Sequence, residues 1–354
     1  MNLPTVAIDA RLAGGTSTGD SSYWSGLLYG LSNLHLDFRV LLFSNADAPS
    51  DIPKSPNFSW IKIPARSSRW WSYVAFPLAA RRQRATAIHT QYSLSPLAGN
   101  RGITTIHDVS FLIGPEWFQP KDRMILNRTV PGSARRARKV IAVSKTGAAE
   151  IEKYLKIPAD KIAAIYNGLP PWIHIPDHPE QILNKLGLAR PYLLTVGTRW
   201  PRKNMELAID ATRSLEDMDL VLTGKSGWGD ANTGSHVKSV GYVSNDELCA
   251  LYSQAQLYVA PSRHEGFGIP VIEAFACGCP VLCSSGGALP EVAGDAAEIE
   301  PTWEPQHWNQ TIRNLLSDSS KLHELRRRGF ERVKMFDWID SARETADVYR
   351  EVMA

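Results

Sequence analysis

Short apolar runs alternate with helical periods along the chain. Thr5–Asp9 is a run of the kind that forms a buried parallel strand. A glycine-rich stretch follows at residues 14–19, and apolar side chains then recur at helical spacing. The predicted apolar face of this helix contains Trp24, Leu27, Leu28, Leu31 and Leu34. The opening of the chain therefore predicts a strand, a loop and an amphipathic helix.

The same alternation continues in two series. The first series predicts further strands at residues 38–43, 58–63, 103–106 and 140–143. A Pro-rich connection over residues 171–191, with one short helix predicted over 179–186, separates it from the second series. The second series predicts strands at residues 192–196, 220–223, 257–260 and 280–283. Strands that alternate with helices form parallel sheets, so we expect an α/β fold of two doubly wound, Rossmann-like domains, residues 1–170 and 171–337.

Composition fits this interpretation. The chain has 354 residues, which exceeds the usual size of one hydrophobic core. Its net charge of +3 is too small to indicate nucleic acid as a partner. The first residues lack a basic, apolar leader, and no apolar run approaches the roughly 18 residues that span a bilayer. We therefore expect a cytoplasmic protein.

Three of the four cysteines, Cys277, Cys279 and Cys283, lie close together in sequence. Their spacing is not that of a zinc site, so we interpret them as small buried side chains. We expect neither a metal nor a cofactor.

The most informative motif covers residues 262–274. Glu265 precedes the turn Gly266-Phe267-Gly268, and Pro270 suits the first turn of a helix that contains Glu273 and stops at Gly278. Glycines allow backbone N–H groups to approach a ligand, and a helix N-terminus favours an anion. The motif indicates a phosphate site flanked by carboxylates that accept hydrogen bonds from sugar hydroxyls. The alternative is a capped helix with two solvated glutamates.

Two other loops follow predicted strands. Arg202 and Lys203 stand where a helix is predicted to open near Asn204, and cations there oppose the helix dipole unless an anion such as a diphosphate is bound. His107 and Asp108 end a strand of the first series, where the histidine could act on a sugar hydroxyl. In both loops the alternative is a structural role. Arg202 and Lys203 would then lie in a solvated surface turn, and His107 would be a structural histidine at the end of a strand.

These residues resemble a known family. Glu265 and Glu273, eight positions apart around Gly-Phe-Gly-Ile-Pro, look like the E-x7-E motif of retaining glycosyltransferases of family 4, which have the GT-B fold. The resemblance extends in order over nearly the whole chain. It includes Ile8-Asp-Ala-Arg11, His107-Asp108, Val143-Ser144, Asn167-Gly168, Arg202-Lys203-Asn204, residues 224–228, Gly241-Tyr242-Val243 and residues 290–295.

The resemblance implies a fold and roles by position. The domains would face each other across a cleft, with a final helix, residues 338–354, crossing back to the first domain. Glu273 would bind the donor ribose, and Glu265 with the backbone of residues 266–269 would hold the donor sugar. Arg202 and Lys203 would hold the diphosphate, and His107 would contact the transferred sugar. The implied donor-binding residues are Gly14, Gly15, Arg202, Lys203, Gly241, Tyr242, Val243, Glu265, Gly266, Phe267, Gly268, Ile269 and Glu273. The implied catalytic residues are His107, Asp108, Arg202, Lys203 and Glu265.

One loop departs from the family pattern. The family has Thr-Gly-x-Gly-Arg-Tyr where this chain has Thr18-Gly-Asp-Ser-Ser-Tyr23, so an acid stands at Asp20 and serines at Ser21 and Ser22. The substitutions predict altered contacts to acceptor or phosphate.

The resemblance implies transfer of a hexose, with mannose from GDP-mannose as the best match, to a glycan or lipid-linked acceptor in bacterial surface polysaccharide synthesis. A second hypothesis is a noncatalytic nucleotide-sugar-binding subunit, because of Asp20, Ser21 and Ser22. A third is a glycoside hydrolase with paired carboxylates, which would have no use for the cations at Arg202 and Lys203.

Residues 62–84 mix basic and aromatic side chains. The members are Lys62, Arg66, Arg69, Trp70, Trp71, Tyr73, Phe76, Arg81, Arg82 and Arg84. Such a segment suits an anionic membrane surface and predicts contact with the inner face of the cell membrane. The alternative is an ordinary surface helix with extended arginines.

Overall fold

The chain folds into two α/β units, each built on one parallel sheet. The computed structural model describes residues 3–13, 19–65, 67–225 and 234–354, with residues 19 and 20 described by their backbone alone. Met1–Gly168 and Asp337–Ala354 form the first unit, and Leu169–Phe336 form the second.

The first sheet contains seven parallel strands. They are β1 (Thr5–Asp9), β2 (Arg39–Ser44), β3 (Phe58–Lys62), β4 (Ala87–Gln91), β5 (Gly102–Ile106), β6 (Lys139–Ala142) and β7 (Ile162–Ala164). Their order across the sheet is β3-β2-β1-β4-β5-β6-β7. The order reverses between β1 and β4, so the loops after these strands diverge at the carboxyl edge and leave a crevice where ligands of such sheets bind.

The second sheet repeats this plan with six parallel strands. They are β8 (Tyr192–Val196), β9 (Asp219–Thr223), β10 (Val237–Gly241), β11 (Leu257–Ala260), β12 (Val281–Ser284) and β13 (Glu298–Glu300). The order is β10-β9-β8-β11-β12-β13, which reverses between β8 and β11. The predicted α/β class, with two Rossmann-like parallel-sheet domains, is confirmed.

Helices connect the strands. They are α1 (Gly19–Ser32), α2 (Ser68–Trp70), α3 (Phe76–Arg82), α4 (Ser110–Ile113), α5 (Pro120–Arg136), α6 (Lys145–Leu155), α7 (Pro179–Lys185), α8 (Met205–Thr212), α9 (Asn245–Gln254), α10 (Ile269–Ala276), α11 (Leu289–Ala293), α12 (Pro305–Ser317), α13 (Ser319–Arg332) and α14 (Trp338–Met353). A π-helical turn, Trp71–Ala75, lies between α2 and α3. Short 3-10 turns cover Pro96–Arg101, Pro115–Trp117, Ala159–Lys161, Pro201–Lys203 and Val333–Met335.

The last helix returns to the first unit and packs along α1. Two glycines of α1 make this contact close, because a Cβ at Gly26 would overlap the ring of Trp338 and one at Gly30 would overlap its backbone carbonyl. Asp337 caps the start of α14 by accepting a hydrogen bond from Ile339 N–H at 2.7 Å. The C-terminal helix is therefore part of the core of the first unit.

Each unit has its own apolar core. Trp71, Phe76 and Phe111 are buried in the first, and Trp308 and Ile312 in the second. All four cysteines are buried free thiols, as predicted for Cys277, Cys279 and Cys283. No helix in the described ranges is both long and apolar enough to cross a bilayer.

The sequence pattern missed four strands, namely β4, β7, β10 and β13. β4 contains buried polar residues in Ala-Ile-His-Thr-Gln, β10 is a mostly exposed edge strand, and β7 and β13 have three residues each. β4, β10 and β13 lack the apolar run on which the prediction relied, whereas β7, with the sequence Ile-Ala-Ala, is apolar but short. The first helix is also shorter than its apolar pattern predicts: α1 ends at Ser32, and Leu34 lies half-buried beyond it.

Candidate functional site

The loops that follow β8 and β11 meet at the switch point of the second sheet. Arg202 and Lys203 belong to the 3-10 turn after β8, and Glu265 belongs to the loop after β11. Arg263 N–H donates to the Arg202 carbonyl at 2.8 Å, and the Arg202 guanidinium donates to the His264 carbonyl at 2.7 Å. The fold thus brings together three residues that the sequence analysis had selected from two separate motifs.

Two cations bind the carboxylate of Glu265. Arg202 Nη1 lies 3.0 Å from Oε2, and Lys203 Nζ lies 2.7 Å from Oε1. Burial alone raises the pKa of Glu265, but the charges of Lys203 and Arg202 outweigh it and lower that pKa to about 2. Glu265 is therefore an anion at neutral pH, and the three groups together, two cations and one carboxylate, keep one positive charge.

The helix predicted to open near Asn204 is α8, and the cations lie in the 3-10 turn directly before it. Asn204 has φ of +50° and separates the 3-10 turn Pro201–Lys203 from α8, which begins at Met205. Asparagine enters the left-handed region more readily than other non-glycine residues, so Asn204 suits this sharp change of direction between the turn and the helix. The cations therefore stand just before the N-terminus of α8, as predicted, and the anion that pairs with them in this structure is the carboxylate of Glu265.

Glu273 lies about one turn into α10, where the sequence placed it. Tyr252 of α9 donates a hydrogen bond to Glu273 Oε2 at 3.1 Å, and both side chains are buried. Burial raises the pKa of Glu273 to about 7, although the bond from Tyr252 works in the opposite direction. The two glutamates of the motif therefore differ in protonation near neutral pH.

The N-terminus of α10 opens on Gly268, whose φ of +101° is unfavourable for any other residue. Pro270 occupies the first turn, and Cys277 and Gly278 end the helix as predicted. The orphan N–H groups of this first turn and the helix dipole favour an anion at this end.

Three residues at this site belong to none of the motifs seen in the sequence: Tyr252, and Gly286 and Gly287 in the loop after β12. A Cβ at Gly287 would overlap the carbonyl oxygen of Glu265, and one at Gly286 would lie 2.5 Å from the carbonyl oxygen of Ser262. Ala288 N–H donates to the Glu265 carbonyl at 2.9 Å. These glycines let the third loop support the backbone of Glu265. The Gly-Gly pair, separated by two residues from the end of a predicted strand, was the signal available for them.

Residues 241–243 follow β10. The hydroxyl of Thr223 donates to the Gly241 carbonyl at 2.9 Å, which joins the ends of β9 and β10. Tyr242 is 54% exposed, and Lys225 Nζ lies 5.8 Å from its ring centroid. An exposed aromatic ring of this kind can stack on a flat ligand.

In the first unit, His107 follows β5 and is half-buried. Its ring meets the ring of Tyr23 edge-on with centroids 5.0 Å apart, and the ring of Tyr92 lies at 5.6 Å. Tyr92 follows β4 with φ of +55°, a left-handed conformation that is strained for a bulky side chain. His107 is thus held by aromatic contacts near the switch point of its own sheet.

Asp108 has a structural contact in addition to its predicted catalytic role. Its Oδ1 accepts hydrogen bonds from Ser110 N–H at 2.8 Å and from the Ser110 hydroxyl, at the start of α4. These bonds form an aspartate turn that stabilises the backbone immediately after His107.

The predicted phosphate-approaching residues Gly14 and Gly15 lie outside the described residues, as does the side chain of Asp20. Ser21 is buried and Ser22 is half-buried at the start of α1.

The basic segment 62–84 differs from an amphipathic membrane helix. Trp71 and Phe76 are buried in the core of the first unit instead of facing solvent, whereas several cations are exposed. The exposed cations are Lys62, Arg69, Arg81, Arg82 and Arg84, and Arg66 lies outside the described residues. Lys62 pairs with Asp47 at 2.8 Å.

Two family models match the chain. The model described as "Glycosyl transferases group 1" covers residues 180–332, and the model "Glycosyltransferase Family 4" covers residues 23–171. The chain is 32% identical over 269 residues to O-antigen chain mannosyltransferase B of Escherichia coli, which covers 71% of this chain and 70% of that protein. It is 27% identical to O-antigen chain mannosyltransferase RfbU of Salmonella typhimurium, covering 80% of each chain.

Among solved structures, the chain resembles sucrose-phosphate synthase from Thermosynechococcus elongatus. The TM-score is 0.77 at 22% identity, and the match covers 99% of each chain. At this identity the likeness describes the fold, which is the predicted GT-B fold.

Proposed function

The chain belongs to glycosyltransferase family 4, and on that premise we propose that it transfers mannose from GDP-mannose to a hydroxyl of a growing glycan, with retention at the anomeric carbon. The enzyme class follows from the matched family models and from the relative that is 32% identical. Mannose and a surface-polysaccharide acceptor are proposed because two relatives are O-antigen chain mannosyltransferases.

The observation that carries the proposal is the pair of cations around Glu265. Arg202 and Lys203 hold one positive charge in excess at the carboxyl ends of β8 and β11, and the Glu265 that they bind lies shortly before the start of α10 in sequence. A diphosphate suits such a place, because guanidinium and ammonium groups offer charge-assisted hydrogen bonds and the helix end adds N–H donors. As the bond to the sugar breaks, charge develops on the leaving phosphate, and preorganised cations stabilise it.

The other contacts are proposed from this position of the diphosphate. Glu273 would accept hydrogen bonds from the donor ribose, and Glu265 with the backbone of residues 266–269 would hold the donor sugar. Residues 241–243 would flank the base, and Gly14 and Gly15 would approach the phosphates. We propose that His107 acts on the transferred sugar, with Asp108 stabilising the turn behind it.

For retention we propose attack on the same face of the sugar as departure. The bond from the anomeric carbon to the phosphate oxygen breaks, the acceptor oxygen bonds to that carbon, and a leaving phosphate oxygen takes the acceptor proton. Glu265 is a poor nucleophile for this step, because two cations already engage its carboxylate. This also argues against the hydrolase alternative, which needs one carboxylate available to attack the sugar or activate water.

A thermal-shift screen of GDP, UDP, ADP and dTDP tests the donor. A ligand that binds only the folded state raises the melting temperature by mass action. We expect GDP to produce the largest shift and Arg202→Ala to reduce it. A shift with UDP alone would contradict the choice of donor, and no shift with any nucleotide would contradict the donor site.

A transfer assay tests the reaction. GDP-mannose and octyl α-mannoside, a lipid-like acceptor with a terminal mannose, are incubated with the protein, and the product is identified by mass spectrometry and NMR. We expect a disaccharide with the α linkage of the donor retained. GDP-mannose binding without transfer to this or to longer mannose-terminated acceptors would favour the noncatalytic alternative that Asp20, Ser21 and Ser22 raise.

We further propose that the protein works at the cytoplasmic face of the membrane through the exposed cations of segment 62–84. Because Trp71 and Phe76 are buried, this contact would be electrostatic and would weaken with salt. Co-sedimentation with vesicles that contain phosphatidylglycerol tests it. We expect binding at low salt that Arg81→Ala with Arg82→Ala reduces, and absence of binding at low salt would exclude it.

A further inference from the structure

A chain of buried polar side chains crosses the core of the first unit beneath His107. Tyr349 Oη lies 2.7 Å from His89 Nδ1, His89 Nε2 lies 2.8 Å from Thr105 Oγ1, and Thr105 Oγ1 lies 2.9 Å from Tyr23 Oη. All four side chains are at most 3% exposed. The chain joins the C-terminal helix α14, the central strands β4 and β5, and the first turns of α1.

The register of the sheet explains why these groups meet. His89 pairs with Ile103, so Thr105, two residues further along β5, points to the same face as His89. The backbone then continues from Thr105 through Ile106 to His107, where β5 has ended. The group at the centre of the polar chain is therefore two residues from the proposed sugar-contacting histidine.

The polar chain is uncharged. Burial lowers the pKa of His89 to about 3, so the ring is neutral at physiological pH and carries one N–H. The ring therefore donates one of its two hydrogen bonds and accepts the other. Since each hydroxyl can also donate or accept, all three bonds are satisfied for either tautomer of His89.

Tyr23 is where this chain reaches His107. Its ring meets His107 edge-on at 5.0 Å and meets Trp338, the first residue of α14, at 5.9 Å. At the other end of the Tyr23 side chain, the hydroxyl is hydrogen-bonded to Thr105 Oγ1. Apolar side chains would fill this part of the core without the free-energy cost of burying four polar groups. We therefore attribute these groups to the orientation of the side chains around them rather than to stability.

We propose that Tyr23 is a positioning residue for His107, and that the hydrogen-bonded chain Tyr349–His89–Thr105–Tyr23 fixes its ring so that the C-terminal helix controls the orientation of His107. The inference deepens the proposed function and rests on it, because it gives His107 a part in sugar transfer.

The first test observes His107 directly and needs no substrate. The nine histidine rings are labelled with ¹³C, and the His107 signals are identified by their loss in His107→Gln. Tyr23→Phe keeps the ring and removes the hydroxyl, and Tyr349→Phe removes a hydroxyl three hydrogen bonds away from Tyr23. We expect both to shift the His107 signals. Unchanged His107 signals in both variants would overturn the inference.

Tyr192→Phe is the matched control. Tyr192 is as buried as Tyr23, 3% exposed, and its hydroxyl donates to the Leu251 carbonyl at 2.8 Å in the second unit. The control removes a hydroxyl from an equivalent environment outside the polar chain, so it should leave the His107 signals and kcat unchanged.

The second test measures mannose transfer from GDP-mannose to octyl α-mannoside. We expect Tyr23→Phe to lower kcat about tenfold through misorientation of His107, with the KM for GDP-mannose unchanged. In a His107→Gln background the same substitution should have no further effect, because Tyr23 acts through His107. A kcat of Tyr23→Phe equal to that of Tyr192→Phe, or an equal loss in both backgrounds, would overturn the inference.

The His107→Gln variant separates this inference from the proposed function. If it transfers mannose at the wild-type rate, the proposed part of His107 is wrong and the inference falls with it. If it is impaired while Tyr23→Phe and Tyr349→Phe match the control, the proposed function stands and the inference alone is wrong.

Discussion

Glu265 illustrates how neighbours determine what a single residue can do. Its carboxylate is shared by a guanidinium and an ammonium group, which lower its pKa to about 2. Removal of either cation would leave the other paired, so the fold should survive, whereas the excess positive charge available to an anion would disappear. Substitution of either cation should therefore reduce the function of the site more than it reduces the stability of the fold.

Lys203→Ala tests this sensitivity. We expect kcat for mannose transfer to fall about 10²- to 10³-fold, because a preorganised positive charge at the leaving phosphate is lost. Arg202 still pairs with Glu265, so circular dichroism and the melting temperature should stay close to those of the wild type.

Lys334→Ala serves as the control, because Lys334 forms an exposed pair with Glu331 and such pairs contribute little. Turnover of Lys203→Ala within twofold of this control would remove the proposed phosphate role.

The pKa of Glu273 is shifted in the opposite direction, upward, and this shift links stability to pH. Its pKa is raised from 4.5 to about 7 by burial, so the folded chain holds a proton that the unfolded chain releases between these values. The contribution of Glu273 to stability is then fully present below pH 4.5 and is lost as pH rises through 7, by about 3 kcal/mol in total. Glu265, with its lowered pKa, loses its stabilising contribution only as pH falls from 4.5 towards 2.

Melting curves of the wild type and Glu273→Gln between pH 5 and 8 test this linkage. The amide cannot ionise, so we expect the variant to gain stability relative to the wild type as pH rises. The difference should flatten above pH 7. A difference that is constant across this range would show that Glu273 titrates normally. The variant should also bind GDP more weakly, because it loses a carboxylate proposed to bind the ribose.

At the scale of elements, the site depends on how closely three loops approach each other. Gly287 has φ of +62° and passes against the carbonyl of Glu265, so it needs both the left-handed conformation and the absence of a side chain. Gly187, which follows α7, has a similar φ of +72°, but a methyl group added there would meet nothing within 4 Å.

Gly287→Ala and Gly187→Ala separate these two requirements. Both should lose about 1–2 kcal/mol of stability from the left-handed backbone. Gly287→Ala should lose more and should weaken GDP binding at least tenfold, because the Glu265 loop must move. Isothermal titration with GDP and urea unfolding measure both effects. Equal GDP affinity in the two variants would show that this loop does not support the site.

At the scale of the whole molecule, the end of the chain completes the fold of its beginning. α14 packs along α1, and its Tyr349 supplies a hydrogen-bond partner to His89 in the centre of the first sheet. The core of the second unit contains none of these residues. A substitution that weakens the contact between α1 and α14 should therefore destabilise the first unit.

Gly26→Ala and Gly132→Ala test this expectation with the same change in two helices of the first unit. A methyl group at Gly26 overlaps the ring of Trp338, whereas one at Gly132 meets only the flexible end of Arg136, at 3.0 Å. We expect Gly26→Ala to be destabilising and Gly132→Ala to be neutral or stabilising by about 0.5–1 kcal/mol.

Hydrogen exchange locates the effect. In Gly26→Ala, peptides from α1, α14 and β4 should exchange faster, while peptides from β8 and β11 keep their protection. Faster exchange in the second unit to the same degree would contradict the independence of the two cores.

Which strands and site residues could be predicted depended on the local signal that each of them leaves in the sequence. Apolar runs located nine of the strands, and the motif around Glu265 and Glu273 led to the family. The run-based approach failed at β4, because a central strand can bury polar side chains when the fold supplies their partners, as it does for His89. It also failed at β10, whose exposed edge requires no apolar run.

The sequence by itself determined the parallel α/β architecture, since buried parallel strands and amphipathic helices leave periodic apolar patterns in the chain. It also selected both glutamates, both cations and His107 as candidate site residues, because glycine turns, charges near a helix start and a histidine at a strand end are local signals. Tertiary structure alone decided that Arg202 and Lys203 bind Glu265, that Tyr252 binds Glu273 and that Tyr349 reaches His89. Each of these contacts joins residues distant in sequence, and only the packing of elements brings such groups within hydrogen-bonding distance and sets their charge.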